Sequence, residues 1–93
     1  MTLKIERISG KGGTRIRLSG GFRVEQIGQV RVEIDCCDQP VALDLEEVDL
    51  VDVDAIRFLN TCEAGGVRML HRSAYIREWM LRERAHPTAQ ENI

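Results

Sequence analysis

Apolar and polar positions along the chain change period several times, and each change marks an element. Leu3 and Ile5 alternate with polar neighbours and Ile8 follows after Glu6 and Arg7, which predicts a short first strand. Ser9-Gly10-Lys11-Gly12-Gly13 is a turn-rich connection. Alternation resumes over Thr14-Arg15-Ile16-Arg17-Leu18, so the two strands are expected to form an antiparallel hairpin, closed by Gly20-Gly21. Val24, Ile27, Val30, Arg31 and Ile34 then follow helical spacing, with Glu25, Gln26, Gln29 and Glu33 on the other side, as in a surface helix packed on a sheet. Its β-branched residues lower helix propensity, so tertiary packing must hold it.

Asp38-Gln39-Pro40 breaks the chain before Val41-Ala42-Leu43-Asp44-Leu45, a short and mostly apolar run that reads as a strand covered on both faces. Val48, Leu50 and Val51 are placed in a connecting loop, although they are more apolar than a solvated loop requires. Ala55, Phe58, Leu59 and Cys62, with Ile56 beside them, form a second helical stripe, and Gly65-Gly66 stands where a left-handed helix terminator belongs. Val67-Arg68-Met69-Leu70 is the fourth strand. Ser73 is positioned to cap a third helix in which Ile76, Trp79, Met80 and Glu83 share a face. The expected fold is α/β: a small domain with a mixed sheet of about four strands covered by about three helices, in the order β-β-α-β-α-β-α. Parallel strands joined by helices imply right-handed crossovers. A single domain is expected over residues 1–86, with 87–93 as a frayed polar tail.

Composition narrows the function classes. The 93 residues suffice for one domain with a thin core. A net charge of -2 gives no general drive toward nucleic acid or an anionic membrane. No apolar run is long enough to span a bilayer and no secretory signal opens the chain, which points to a cytoplasmic protein. The cysteines, Cys36, Cys37 and Cys62, are odd in number and lack a Cys-x-x-Cys, so reduced structural thiols are expected. Gly10-Lys11-Gly12-Gly13 is not a phosphate loop, Asp52-x-Asp54 lacks the glycine and glutamate of a calcium loop, and no nucleophile stands beside a base. The chain is therefore read as a non-enzyme with no cofactor and no metal.

Four segments in order carry a family resemblance. Ile16-Arg17-Leu18-Ser19-Gly20 is a strand ending in glycine before the first helix. Val41-Ala42-Leu43-Asp44-Leu45-Glu46-Glu47-Val48 is an apolar strand with an aspartate. Asp52-Val53-Asp54-Ala55-Ile56 stands at the start of the second helix, and Gly65-Gly66-Val67-Arg68 at a helix-to-strand turn. Together, from about Leu3 to Arg84, they resemble the STAS domain family, and in particular its anti-sigma-factor antagonists. The resemblance implies a protein-interaction module in signal transduction and transcription regulation, whose partner is a kinase-like anti-sigma factor. In that family a serine or threonine at the start of the second helix is phosphorylated, and phosphorylation abolishes binding. The equivalent position here is Asp54. Val53 stands before it and Ala55 replaces the family's glycine, so only Asp52 remains of the switch motif.

The partner-binding residues implied are Asp52, Val53, Asp54, Ala55 and Arg57 with Glu47 and Asp49 of the preceding loop. Asp54 admits two compatible readings. It is a helix N-cap accepting from the backbone of Ile56 or Arg57, or a partial mimic of a phosphoserine, with one charge and two oxygens against about two charges and three oxygens. Either way, a residue without a hydroxyl cannot be switched by a kinase. Asp44, Glu46, Glu47, Asp49, Asp52 and Asp54 form an acidic stretch without Lys or Arg, either a solvated loop or a rim for a basic partner surface. Arg72, Arg77, Arg82 and Arg84, with His71 and His86, make the C-terminal end basic, the arginines either pairing with Glu78 and Glu83 or forming the other half of a split surface. Trp79 is either core or a partner anchor. A homodimer is compatible with this reading. Two rival roles are a constitutive STAS subunit of a transporter or signalling scaffold, and a carrier of a small apolar ligand in a cavity lined by Met69, Ile76 and Met80.

Overall fold

The computed structural model describes residues 3–37 and 40–85. Its elements are β1 (Leu3–Gly10), β2 (Gly13–Phe22), α1 (Val24–Asp35), β3 (Val41–Val51), α2 (Val53–Ala64), β4 (Arg68–Leu70) and α3 (Ala74–Ala85), in the expected order. The expected tail, 87–93, and the Asp38-Gln39 part of the expected chain break lie outside the described residues.

The four strands form one mixed sheet in the order β1-β2-β3-β4. β1 and β2 are an antiparallel hairpin, and β2, β3 and β4 run parallel. Because strand order follows chain order, right-handed crossovers place α1 and α2 on the same face of the sheet. α3 adds to that layer by packing on α2. The core lies between: Ile16, Leu18 and Phe22 from β2, Leu43 and Leu45 from β3, Val30 from α1, Ile56 and Leu59 from α2 and Met80 from α3 are all essentially inaccessible to water. Each such side chain contributes about 1.5–3 kcal/mol relative to exposure. Phe22 meets Phe58 edge to face with ring centroids 5.9 Å apart, and the Arg31 guanidinium stands 5.3 Å over the Phe58 ring, so β2, α1 and α2 are tied at one point.

Two expectations about β3 are corrected. It is covered by helices on one face, not on both. Val41, Leu43 and Leu45 point to the helices, whereas Ala42 and Asp44 lie on the opposite face beside Arg15 and Arg17 of β2. Ala42 counts as apolar in the sequence and so disguises the alternation. Nor is the segment after Leu45 a loop, because β3 runs on to Val51. Register shifts against β2 between Arg17 and Ser19 and between Gly20 and Gly21 insert extra β3 residues. The inward positions therefore become Leu45, Val48 and Val51, a spacing of three that a strand pattern does not contain.

Turn chemistry is sharpest at the start of β2. Gly13 has φ +127°, and a Cβ there would lie 2.1 Å from the Pro40 carbonyl oxygen, which accepts the Thr14 N–H at 2.9 Å. Gly66, at φ +105°, ends α2 as expected while the Val67 N–H returns to the Cys62 carbonyl. Ser73 caps α3 as expected, its hydroxyl accepting from the Ile76 N–H at 3.1 Å. Gly13→Ala is expected to destabilise the domain by more than about 1 kcal/mol, since the φ and the carbonyl contact both exclude a side chain. Gly12→Ala, with open space around it, should be within about 0.5 kcal/mol of wild type. Urea unfolding of the two variants separates these outcomes, and equal stabilities would contradict the assigned turn.

Candidate functional site

The C-terminal ends of β2 and β3 and the N-terminal ends of α1 and α2 meet at one end of the sheet. Asp52 lies between them in extended conformation and is the N-cap of α2. One carboxylate oxygen accepts the Ala55 N–H at 2.9 Å. The other accepts the Val24 N–H at 3.0 Å, in the first turn of α1. Gln26 satisfies the neighbouring Arg23 N–H at 2.9 Å. A single aspartate thus serves donors at the N-termini of two helices.

This corrects the capping role considered for Asp54. The helix begins two residues earlier than that reading required, and Asp54 lies inside the first turn, exposed, with no side-chain hydrogen bond among the described residues. Its carboxylate stands at the positive end of the α2 dipole without being consumed by the cap.

The other residues expected in the docking face separate into two groups. Glu47, Asp49 and Asp54 are exposed, and Val53 is half-buried. Leu50, within the Glu46 to Val51 segment expected to join the docking face, is 42% exposed, and Val24 is 48% exposed on the adjoining turn of α1. Ala55, by contrast, is completely buried under α2 and offers no surface. Arg57 is exposed but bonded to Glu83 of α3 at 3.0 Å. The surface therefore offers two apolar side chains and three carboxylates without an ion-pair partner among the described residues, and the exposed Arg23 lines the same cleft as Asp49 and Leu50. Leu50 was expected in a loop and lies instead in β3. The second register shift in β3 is what turns it outward.

The acidic stretch divides the same way. Asp44 is buried, with 1% of its side chain exposed, on the sheet face away from the helices. Its Oδ1 accepts the Glu46 N–H at 3.1 Å and lies 3.1 Å from His71 Nδ1, while Arg17 Nε is 3.9 Å from Oδ2. A carboxylate only accepts, so His71 Nδ1 carries the proton in that bond. His71 has φ +56°, a left-handed conformation rare for a residue with a Cβ, and the bond to Asp44 fixes it there. Asp44, Glu46 and His71 also offer ligand atoms within 4.8 Å of one another, the spacing of a divalent-cation site. The Asp44 oxygens, however, already serve the Glu46 N–H, His71 and Arg17.

Among the described residues the C-terminal arginines do not take the expected Glu78 and Glu83 partners. Arg84 of α3 and Arg72, in the turn before it, both pair with Glu63 of α2, at 3.1 and 3.5 Å, so part of this basic charge ties the C-terminal segment to α2. Asn60 Nδ2 donates to the Met80 carbonyl across the same seam at 3.0 Å. Trp79 is half-buried against the core and leans on the exposed Tyr75 ring, centroids 5.6 Å apart. Ile76 and Met80 are buried at 2% and 0% in the main core cluster, which counts against a ligand cavity beneath α3. Cys36, Cys37 and Cys62 are free, and burial pushes the Cys62 thiol up to about 11, so it stays protonated and unreactive near neutrality. No helix among the described residues is long and apolar enough to cross a membrane. No family model and no curated protein matches the chain.

Burial alone would raise the Asp44 pKa, but the Glu46 N–H, the bond and charge of His71, and the Arg17 charge outweigh it and hold the carboxyl below its usual value. A carboxyl depressed on folding stabilises the native state above its unfolded pKa, about 3.9, and that stability is lost as pH falls through the folded pKa. Asp44→Asn is expected to cost about 1–3 kcal/mol at pH 7. The gap to wild type should narrow once pH drops below about 4. Urea melts at pH 7 and pH 3 check this, and a gap independent of pH would show that the charge on Asp44 contributes nothing.

Proposed function

We propose that the chain is a non-enzymatic regulatory protein-interaction module of the STAS type, related in role to the anti-sigma-factor antagonists. Its docking face is the N-terminal end of α2 with the outward side chains at the end of β3. The observation that carries this reading is the division of labour between two aspartates. Asp52 performs the structural task of capping α2 and tethering α1. Asp54, at the position where the family bears a phosphorylatable hydroxyl, is exposed and has no structural task in view.

The consequence is a fixed electrostatic state. A carboxylate at Asp54 presents a permanent negative charge where a phosphoserine would present about two. It belongs to the release state of an ordinary antagonist, and no kinase can set or reset it. Around it, Leu50 and Val24 supply apolar contact and Glu47 and Asp49 supply charge, an arrangement suited to a partner with a basic rim around an apolar centre. The buried Ala55 and the Glu83-bound Arg57 set the boundary of the face rather than its contacts.

The test is capture from the native lysate by wild type and Asp54→Ser side by side, read by mass spectrometry. The reading expects a kinase-like anti-sigma factor, held roughly tenfold (about 1.4 kcal/mol) more strongly by Asp54→Ser, because a carboxylate at this one position imitates the phosphate that releases the partner, whereas Glu47 and Asp49 meet its basic rim. Equal capture of a transporter or scaffold subunit by both forms would instead make the chain a constitutive subunit, with Asp54 an ordinary surface residue.

A further inference from the structure

The sheet face that carries no helix bears its charges in rows set by strand register. In one row, Arg17 lies between Glu6 of β1 and Asp44 of β3, and both carboxylates reach it, at 4.0 and 3.9 Å. The next row toward the hairpin runs Ile8, Arg15, Ala42, Arg68. Here the cross-strand neighbours of the arginines are apolar. Among the described residues neither Arg15 nor Arg68 has a carboxylate within ion-pair distance, and the Arg15 Nε, like that of Arg17, is withdrawn from water with no hydrogen-bond partner, so the missing carboxylate is what sets this row apart. Among the described residues, two cations in a chain of net charge -2 thus stand without a carboxylate partner, on either side of Ala42.

Their row ends at a cleft. A cavity of about 260 Å³ opens over Ile8, Arg15, Ala42 and Arg68 and is bounded by the glycine hairpin and Pro40. Parallel neighbours two strands apart stand about 10 Å from each other, so Arg15 and Arg68 flank the gap that the small Ala42 side chain leaves between them. The glycines of the hairpin add no side chains to its rim; a Cβ at Gly10 or Gly12 would meet nothing within 4 Å. Ile8, 41% exposed, offers an apolar wall.

We propose that this cleft binds a small organic anion, a single carboxylate or phosphate on a short apolar body. The charged head would sit between Arg15 and Arg68 and the body against Ile8 and Ala42. The volume falls below the roughly 300–1,000 Å³ of drug-sized ligand sites, which limits the body to about one ring or a short acyl chain. Charge-assisted bonds from a pair of guanidinium groups supply both affinity and geometry for such a head group. The site lies at the N-terminal ends of the parallel strands, about 25 Å along β2 from the N-terminal end of α2. It does not depend on the docking face proposed above.

Amide NMR titrations with phenyl phosphate, hexanoate and inorganic phosphate test this on wild type, Arg15→Gln, Arg68→Gln and Ala42→Met. Phenyl phosphate or hexanoate is expected to give saturable shifts at Gly10, Gly12 and Thr14 with a Kd near about 1 mM or tighter. Inorganic phosphate should bind roughly tenfold more weakly, lacking the apolar body. Each arginine variant should lose roughly tenfold in affinity, and Ala42→Met should block binding by filling the gap while leaving both charges in place. Asp54→Ser should titrate as wild type. The proposal is overturned if neither organic anion gives saturating shifts at the hairpin, if the arginine variants bind as wild type does, or if inorganic phosphate binds as tightly as phenyl phosphate.

Discussion

The carboxylate of Asp52 accepts backbone N–H groups from two helices that are far apart in sequence, Val24 of α1 and Ala55 of α2. The layer of helices rests on this joint. α1 has β-branched residues along its stripe and little intrinsic preference to be helical, so it depends on its contacts. Phe22, Phe58 and Arg31 supply them from the core side, and Asp52 supplies the polar one at the helix end. With both donors satisfied by one side chain, the nearby Asp54 is not needed as a cap and makes no side-chain hydrogen bond among the described residues. That freedom makes a functional reading of Asp54 physically sensible.

Topology determines the rest of the surface. Strand order that follows chain order sends both crossovers to one side, and α3 joins them by pairing Arg84 and Glu83 with α2. The opposite face must then be closed by side chains alone. At its centre this is done by polar pairing: Asp44 is buried under Arg17 and His71 and is stable there because the Glu46 N–H, the His71 ring N–H and the Arg17 guanidinium compensate its loss of water. Toward the hairpin the same kind of row lacks carboxylates, and among the described residues none compensates Arg15 and Arg68. Among those residues one sheet face therefore holds an arginine row with carboxylate partners beside one without.

Much of this was legible in the sequence. Element order, the hairpin, the Ser73 cap and the Gly66 terminator each rest on local chemistry, and local chemistry is what a sequence displays. Three features were not legible, for physical reasons. The length of β3 was hidden because its register shifts convert a period of two into a spacing of three over Leu45, Val48 and Val51. The open sheet face was hidden because Ala42 is apolar yet points away from the core. The identity of the α2 cap was hidden because Asp52 and Asp54 are equally good capping residues. The choice between them depends on the Asp52 contact with Val24, across 28 residues, which no local pattern encodes. Of the residues assigned to the docking face, Ala55 fell inside the core for a related reason: the start of α2 fixes which side of the helix faces the sheet.

The central claim is that Asp52 carries the structural load and Asp54 does not. Hydrogen exchange at the Val24 and Ala55 amides, combined with urea unfolding, of Asp52→Ala and Asp54→Ala tests it directly. The account expects Asp52→Ala to lose protection at both amides and about 1–2 kcal/mol of stability, the range for a lost N-cap. Asp54→Ala should keep both amides protected and change stability by no more than about 0.5 kcal/mol. Loss of protection at Ala55 in the Asp54 variant, or none in the Asp52 variant, would contradict the account and return Asp54 to the role of a cap.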